Sequence, residues 1–300
     1  MDRILTYYIE ETHSGLSVDS FLRSHGFSRQ NISDLKKMNR SIILNDDWVH
    51  INKTLNAGDC LVIHIQENEC SKNIPPVYFP LDIIFEDEDI IIINKPANMP
   101  VHPSMDNYTN SLGNALAFYY NNQNKPFIFR CTNRLDKNTS GLTVVAKNML
   151  SASIMSAAIR DHNITREYVA IVSGHPDSLS GTINAPIARK DASIIEREVN
   201  FENGDSAITH YSVLKSFDDY CLVRLVLETG RTHQIRVHMK YIGCPLIGDC
   251  IYNIEETRFS DKIKRQALHC QRLSFKHPIT GEDLVFEAPL PDDMLSLLEY

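Results

Sequence analysis

The chain lacks paired cysteines. Its seven (Cys60, Cys70, Cys131, Cys221, Cys244, Cys250 and Cys270) are odd in number, scattered, and never spaced C-x-x-C. That pattern argues against a disulfide framework and a zinc knuckle, and fits a reducing cytoplasm. A membrane signature is missing too. No apolar run approaches the roughly 18 residues of a span, and the opening MDRILTYYIEETHSG has no basic region followed by an apolar core. The expectation is a protein that is neither secreted nor membrane-inserted. There is no surplus of positive charge: 30 Lys and Arg stand against 38 Asp and Glu, a net charge of −8. Any footprint on nucleic acid must then be confined to local clusters, because phosphate neutralisation needs grouped Lys and Arg. No internal repeat is visible. What is present is apolar material, 43% of 300 residues, enough to bury a core and form one large domain plus something smaller.

One basic cluster lies near the start, in SRQNISDLKKMNR. Ser28 is placed to cap a helix with Ile32 and Leu35 inward, while Arg29, Lys36 and Arg40, with Lys37 beside them, recur on one outer face. VDSFLRSHG before it reads as a second short helix ending at Gly26. SIILNDDWVHINKTLNAGDCLVIHI after it alternates apolar and polar residues around turns at Asn45-Asp46-Asp47 and Ala57-Gly58-Asp59. Two helices and a hairpin sheet make a small α/β module, residues 1–70. The proline-containing QENECSKNIPPVYFP then suits a linker, leaving 71–300 as the large domain.

In that domain Ile90–Ile93 read as a fully buried strand that stops at Lys95-Pro96. SLGNALAFYY reads as a helix capped by Ser111, with Leu112, Ala115, Leu116 and Tyr119 inward. NMLSASIMSAAIRDHN repeats the pattern through Ala152, Met155 and Ile159. REYVAIVSG, HYSVLKSF and CLVRLVLE read as strands, the first with Tyr168, Ala170 and Val172 on one side. The mixture predicts an α+β fold on a largely antiparallel sheet.

TNRLDKNTSGLTVVAK carries the chemistry-bearing residues. An extended backbone puts Arg134 and Asp136 on one side, just before the turn Asn138-Thr139-Ser140-Gly141. The bland reading makes Asp136 a turn cap or a surface ion pair worth under about 1 kcal/mol. LETGRTHQIRVHMKYIGCPLIGD counts against it by concentrating Arg231, His233, Arg236, His238 and Lys240. There Thr232 is expected to cap a helix with Ile235, Met239 and Ile242 inward, ended by Gly243 and Pro245. Its histidines are five apart and no H-E-x-x-H accompanies them, so no metal is expected.

Together NRLDKNTSGLTVVAK, REYVAIVSG, LETGRTHQIRVHMKYIGCPLIGDCIY, ALHCQRLSFKHPITGEDLVFEAPLP and NKPANMPVHP resemble the consecutive motifs of the RNA pseudouridine synthases typified by the bacterial enzymes that modify large-subunit ribosomal RNA. The match spans roughly residues 80–290, and 1–70 resembles the small ribosomal-protein-type RNA-binding domain often fused ahead of them. The resemblance implies the pseudouridine synthase fold, with a central mixed sheet. It also implies Asp136 as catalytic carboxylate, Tyr168 beside it, Arg236 paired with it, and Arg134 filling the gap left by an extruded nucleotide.

The chemistry fits those residue types. The base leaves the sugar, turns and rejoins through carbon 5, without cofactor, after the nucleotide is flipped into a pocket. A carboxylate can serve there as nucleophile or base if a neighbouring cation keeps it ionised and oriented, and Tyr168 is a candidate to remove the proton left at carbon 5. Arg231 and His233 join Arg134, Arg29, Lys36, Lys37 and Arg40 as expected RNA contacts. The partner is RNA, ribosomal or alternatively transfer RNA, and the protein is expected to act as a monomer.

Two positions depart from the family. Asn133 stands where His is usual, an exchange expected to alter RNA docking. Asn98 stands where Gly is usual, and Asn tolerates the left-handed conformation. A catalytically silent RNA-binding protein of the same fold would be expected to lose Asp136 or Tyr168. A glycoside hydrolase needs a second facing carboxylate, and no such pair stands out.

Overall fold

Local patterning sets the first elements. In the computed structural model, residues 1–191, 193–255 and 258–299 are described, and the chain divides into two compact units. The first comprises Met1–Ile92, His102–Asn133 and Val144–Asp161, the second Ile93–Val101, Arg134–Thr143 and His162–Tyr300.

The first unit opens with β1 (Asp2–Tyr8), α1 (Val18–Ser24), α2 (Arg29–Leu35), β2 (Ile42–Leu44), β3 (Asp47–Trp48) and β4 (Cys60–Gln66). The strands form an antiparallel sheet in the order β1-β4-β2-β3. Leu61, Ile63 and Ile65 alternate into the core along β4. Asn45 and Asp46 both take positive φ, 50° and 71°, the conformation a two-residue hairpin loop requires. Ser28 caps α2 in a reciprocal box with Asn31.

That helix is shorter than the basic stripe needs. It ends at Leu35 with Lys36 as its C-cap, and Arg40 sits at φ 49°. Arg29, Lys36, Lys37 and Arg40 are exposed, but they do not share one helical face, and Lys37 pairs with Asp34 at 3.0 Å.

Next come β5 (Ile83–Glu86), β6 (Ile90–Lys95), α3 (Leu112–Asn121), β7 (Arg130–Cys131), β8 (Ser140–Ala146) and α4 (Met149–Arg160). Ile90–Ile93 are fully buried, worth about 1.5–3 kcal/mol per side chain. Ser111 caps α3 as expected. The inward tyrosine is Tyr120, while Tyr119 is half-buried, and both hydroxyls reach Glu86. In this unit Arg3 clamps the buried Asp89 through two hydrogen bonds of 3.0 and 2.8 Å. Among the described residues no helix is long and apolar enough to cross a membrane.

The second unit adds β9 (Thr165–Ser173), β10 (Ser180–Asn184), β11 (Ile187–Arg189), β12 (Arg197–Val199), β13 (Ile208–Ser216), β14 (Tyr220–Leu227), α5 (Gln234–Tyr241), β15 (Leu268–Lys276), β16 (Asp283–Glu287) and α6 (Asp292–Leu298). Its sheet runs β10-β13-β14-β9-β15-β8. Every pairing is antiparallel except β15 with β8. The expected α+β architecture on a mixed, mostly antiparallel sheet is therefore what forms.

At the parallel seam Gly141 lies opposite Cys270 at φ 112°, and a Cβ there would fall 2.3 Å from the Cys270 carbonyl oxygen. Only glycine permits that approach. It fixes where the Asp136 loop enters the sheet.

Candidate active site

The loop 134–139 alternates as the sequence suggested: Arg134 is exposed, Leu135 buried, and Asp136 half-buried. Its backbone is pinned from two sides. Lys95, fully buried at the end of β6, gives its ammonium to the carbonyls of Pro96, Met99 and Lys137 at 2.7, 2.8 and 3.3 Å. Arg265 reaches the carbonyl of Asn138 at 3.2 Å while held by Asp293. Asn98 adopts φ 60°, so the asparagine does take the left-handed conformation that a glycine would supply.

Arg236 is the hub. It projects from α5 with 4% of its surface exposed. Its Nε and one terminal nitrogen donate to Asp249 at 2.7 and 2.8 Å, and the other donates to Asp136 Oδ2 at 3.2 Å. Burial alone would lower the guanidinium's pKa, but the hydrogen bonds and charge of Asp249, then Asp136, outweigh it and the net shift is upward. The guanidinium also lies 4.9 Å over the Tyr252 ring, a favourable cation–π distance.

Among the described residues the cation paired with Asp136 is Arg236 at 3.2 Å, and the imidazole of His233 lies 3.9 Å away. Its sequence neighbours Arg134 and Lys137 point to solvent. The cation that answers the carboxylate comes from a helix 100 residues away, not from the flanking charges.

That helix starts later than the sequence suggested. Its N-cap is His233, not Thr232, in the left-handed conformation with φ 60° and ψ 17°. The side chain of Gln234 fixes the entry instead, its Oε1 accepting from the backbone N–H of Arg231 and from the Thr229 hydroxyl. Ile235 and Met239 face inward, Ile242 is half-buried, and Gly243 ends the helix at φ 78°. His238 is buried, with Nδ1 at the Thr209 hydroxyl and Nε2 at the carbonyl of Ala185. It anchors the helix, and burial lowers its pKa.

Tyr168, on β9 with Ala170 and Val172 on its side, is 5% exposed. Burial, then the Cys270 thiol, push the phenol well above its ordinary pKa, while Arg166 pulls the other way and the charge of Asp136 adds to the rise. The structure thus brings Arg236 and His233 to Asp136, whose charge also reaches Tyr168. Arg231 is exposed nearby in sequence, its Nε on the carbonyl of Ser206 and a terminal nitrogen 3.4 Å from Asp205. Asn133 does not present itself to a ligand. It is buried, and its Oδ1 accepts from the backbone N–H of Val144 at 2.7 Å, so the expected effect on RNA docking finds no exposed side chain to act through.

Sequence reasoning passed over Asp249, Tyr252, Cys270 and Arg166. The first two stand in the quoted GDCIY, but nothing in their spacing says that Asp249 grips Arg236 or that the Tyr252 hydroxyl meets His233 Nδ1 at 2.8 Å.

The family pattern described as RNA pseudouridylate synthase matches residues 89–241. An RNA pseudouridine synthase of Bacillus subtilis, YjbO, described as uncharacterized, is 39% identical over 284 residues, 95% of this chain and 99% of that one. The ribosomal large subunit pseudouridine synthase D of Zymomonas mobilis is 40% identical over 257 residues, 80% of this chain and 78% of that one. Among solved structures, Human RNA Pseudouridylate Synthase Domain Containing 1 aligns at a TM-score of 0.59 and 27% identity, covering 72% of this chain and 85% of that one. The chain belongs to the RNA pseudouridine synthase family, and with it to the isomerases that act on RNA.

Proposed function

We propose that the protein converts uridine to pseudouridine in large-subunit ribosomal RNA, with Asp136 as the catalytic carboxylate. The observation that carries the role of Asp136 is the Asp249–Arg236–Asp136 chain, in which a buried guanidinium held by one carboxylate presents its remaining edge to another that is 27% exposed. A carboxylate oriented in this way is suited to act as nucleophile or base. The ribosomal target is supported by the relatives named for the large subunit.

Tyr168 is assigned to removal of the proton left at carbon 5. Because burial keeps its hydroxyl protonated at rest, that role requires the hydroxyl to hand on its own proton as it takes the new one. Arg134, exposed beside Asp136, is assigned to the gap left by the flipped nucleotide. Residues 1–70, with Arg29, Lys36, Lys37 and Arg40 exposed, are read as an RNA-binding module. The seven free cysteines support a reducing cytoplasm.

The test is release of tritium from carbon-5-labelled uridine in large-subunit ribosomal RNA transcripts, with transfer RNA in parallel. Asp136→Asn should abolish release while RNA affinity stays within about threefold, under 1 kcal/mol. Turnover by Asp136→Asn would sink the assignment, and activity confined to transfer RNA would overturn the target.

A further inference from the structure

His233 holds a position that pairing with Asp136 does not explain. Its Nε2 lies 3.9 Å from Asp136 Oδ2, too far for a hydrogen bond between them. On the other side of the ring, Nδ1 meets the Tyr252 hydroxyl at 2.8 Å. That hydroxyl already accepts from the backbone N–H of Arg197 at 2.9 Å, so its own proton is free to be donated to Nδ1. Tyr252 is 6% exposed, so bulk solvent scarcely competes for that proton. With Nδ1 accepting, a neutral imidazole must carry its proton on Nε2.

The surroundings of the ring favour its neutral form. Burial lowers its pKa, Arg236 lowers it further, and Asp136 and Asp249 only partly oppose them. The geometry therefore sets a neutral N–H, 11% exposed as a side chain, facing the space beside a carboxylate whose other neighbour, Arg236, is already bonded to two acids.

We propose that His233 is a catalytic hydrogen-bond donor, its Nε2–H contacting a carbonyl oxygen of the uracil ring while the base is detached, with Tyr252 as the positioning residue that fixes the tautomer. This rests on the assignment of the site at Asp136. The bond between N1 of the base and C1′ of the ribose breaks, its electron pair leaves with the base, and the negative charge spreads over the ring onto its two carbonyl oxygens. A neutral donor at one oxygen stabilises that charge without losing its own proton. When carbon 5 bonds C1′ that electron pair becomes the new bond and the ring is again neutral, and the proton then shed from carbon 5 is balanced by one gained at N1. His233 is unchanged at the end. A protonated imidazole would instead close on Asp136 and tie up the carboxylate.

The test is a single-turnover experiment with saturating enzyme on a ribosomal RNA transcript that the wild type modifies. His233→Asn keeps a residue that tolerates the left-handed backbone but is too short to present the donor. Its rate should fall about 10²–10³-fold, the loss typical of one such donor, with RNA affinity within about threefold. Tyr252→Phe, which removes only the hydroxyl, should slow the reaction by about tenfold, the scale of one neutral hydrogen bond. The double variant should be no slower than His233→Asn, because Tyr252 acts through the histidine.

A His233→Asn rate within about threefold of wild type, or weakened RNA binding at an unchanged rate, would overturn the proposal. Multiplying losses in the double variant would overturn the role of Tyr252. Should His233→Asn fail to fold, Tyr252→Phe decides, and a full rate refutes. Asp136→Asn measured alongside separates the two readings: if it stays active, the assignment of Asp136 fails whatever His233 does.

Discussion

Asp249→Asn should cost far more than its small change in shape suggests. The carboxylate is fully buried and accepts four hydrogen bonds: two from Arg236 at 2.7 and 2.8 Å, and two from the backbone N–H groups of Ile251 and Tyr252 at 3.0 and 3.1 Å. An amide of the same shape removes the charge and must aim its NH2 at one of those donors. Arg236, 4% exposed, is left a buried cation with only Asp136 opposite. Breaking a buried pair on one side costs about 3–5 kcal/mol. In a protein of this size 1 kcal/mol moves the melting temperature by about 2–4 °C, so the drop should be on the order of 10 °C.

By contrast, Asp136→Asn gives up one 3.2 Å ion pair at a side chain 27% exposed, and should cost less than about 1 kcal/mol. The two asparagine variants thus separate stability from chemistry. Asp249→Asn melts early and, below its transition, is slowed about 10²-fold because Arg236 is no longer aimed. Asp136→Asn melts normally and is inactive. Circular dichroism melts and tritium release at a temperature where both are folded measure the two effects. Asp249→Asn melting within about 2 °C of wild type, under 1 kcal/mol at this size, would refute the view that Arg236 depends on it.

Acid should unfold the protein through its buried histidines. Burial holds His269 down at about 4, so between its ordinary 6.5 and about 4 the unfolded chain takes a proton that the folded chain refuses. Stability is then full above about pH 6.5 and falls by about 3 kcal/mol as the pH approaches 4, with His233 and His238 shifted in the same direction. Urea unfolding at about pH 7 and about pH 4.5 should show this slope, and His269→Asn should flatten it; an unaltered slope in the variant would show that other groups govern the acid transition. In the first unit, Arg29, Lys36 and Arg40 changed together to Ala should reduce the slope of log affinity for RNA against log salt by about 2, at ~0.7–0.9 for each phosphate no longer neutralised. An unchanged slope would mark them as ordinary solvated surface.

The sequence alone was sufficient wherever neighbours a few residues apart decide the outcome. Ser28 and Ser111 cap their helices because the groups they satisfy lie three positions on. Asn45-Asp46 turns its hairpin, Ile90–Ile93 bury themselves as a strand, and Gly243 ends α5. Identifying Asp136, Tyr168 and Arg236 as a set needed ordered motifs, since no local spacing relates them.

Tertiary structure decided the rest. Where α5 begins depended on bonds made only in the folded chain, since Gln234, whose Oε1 receives the Arg231 N–H, is held through its Nε2 on the Ile208 carbonyl and the Thr209 hydroxyl, 26 and 25 residues away. The flanking Arg134 and Lys137 are exposed and make no ion pair with Asp136 among the described residues. Charge in a sequence carries no direction, whereas an ion pair gains its energy only from atoms a few ångströms apart and shielded from water. Folding placed Arg236 there, set Asp249 behind it, and turned His233 through a left-handed backbone, with its Nδ1 2.8 Å from the Tyr252 hydroxyl.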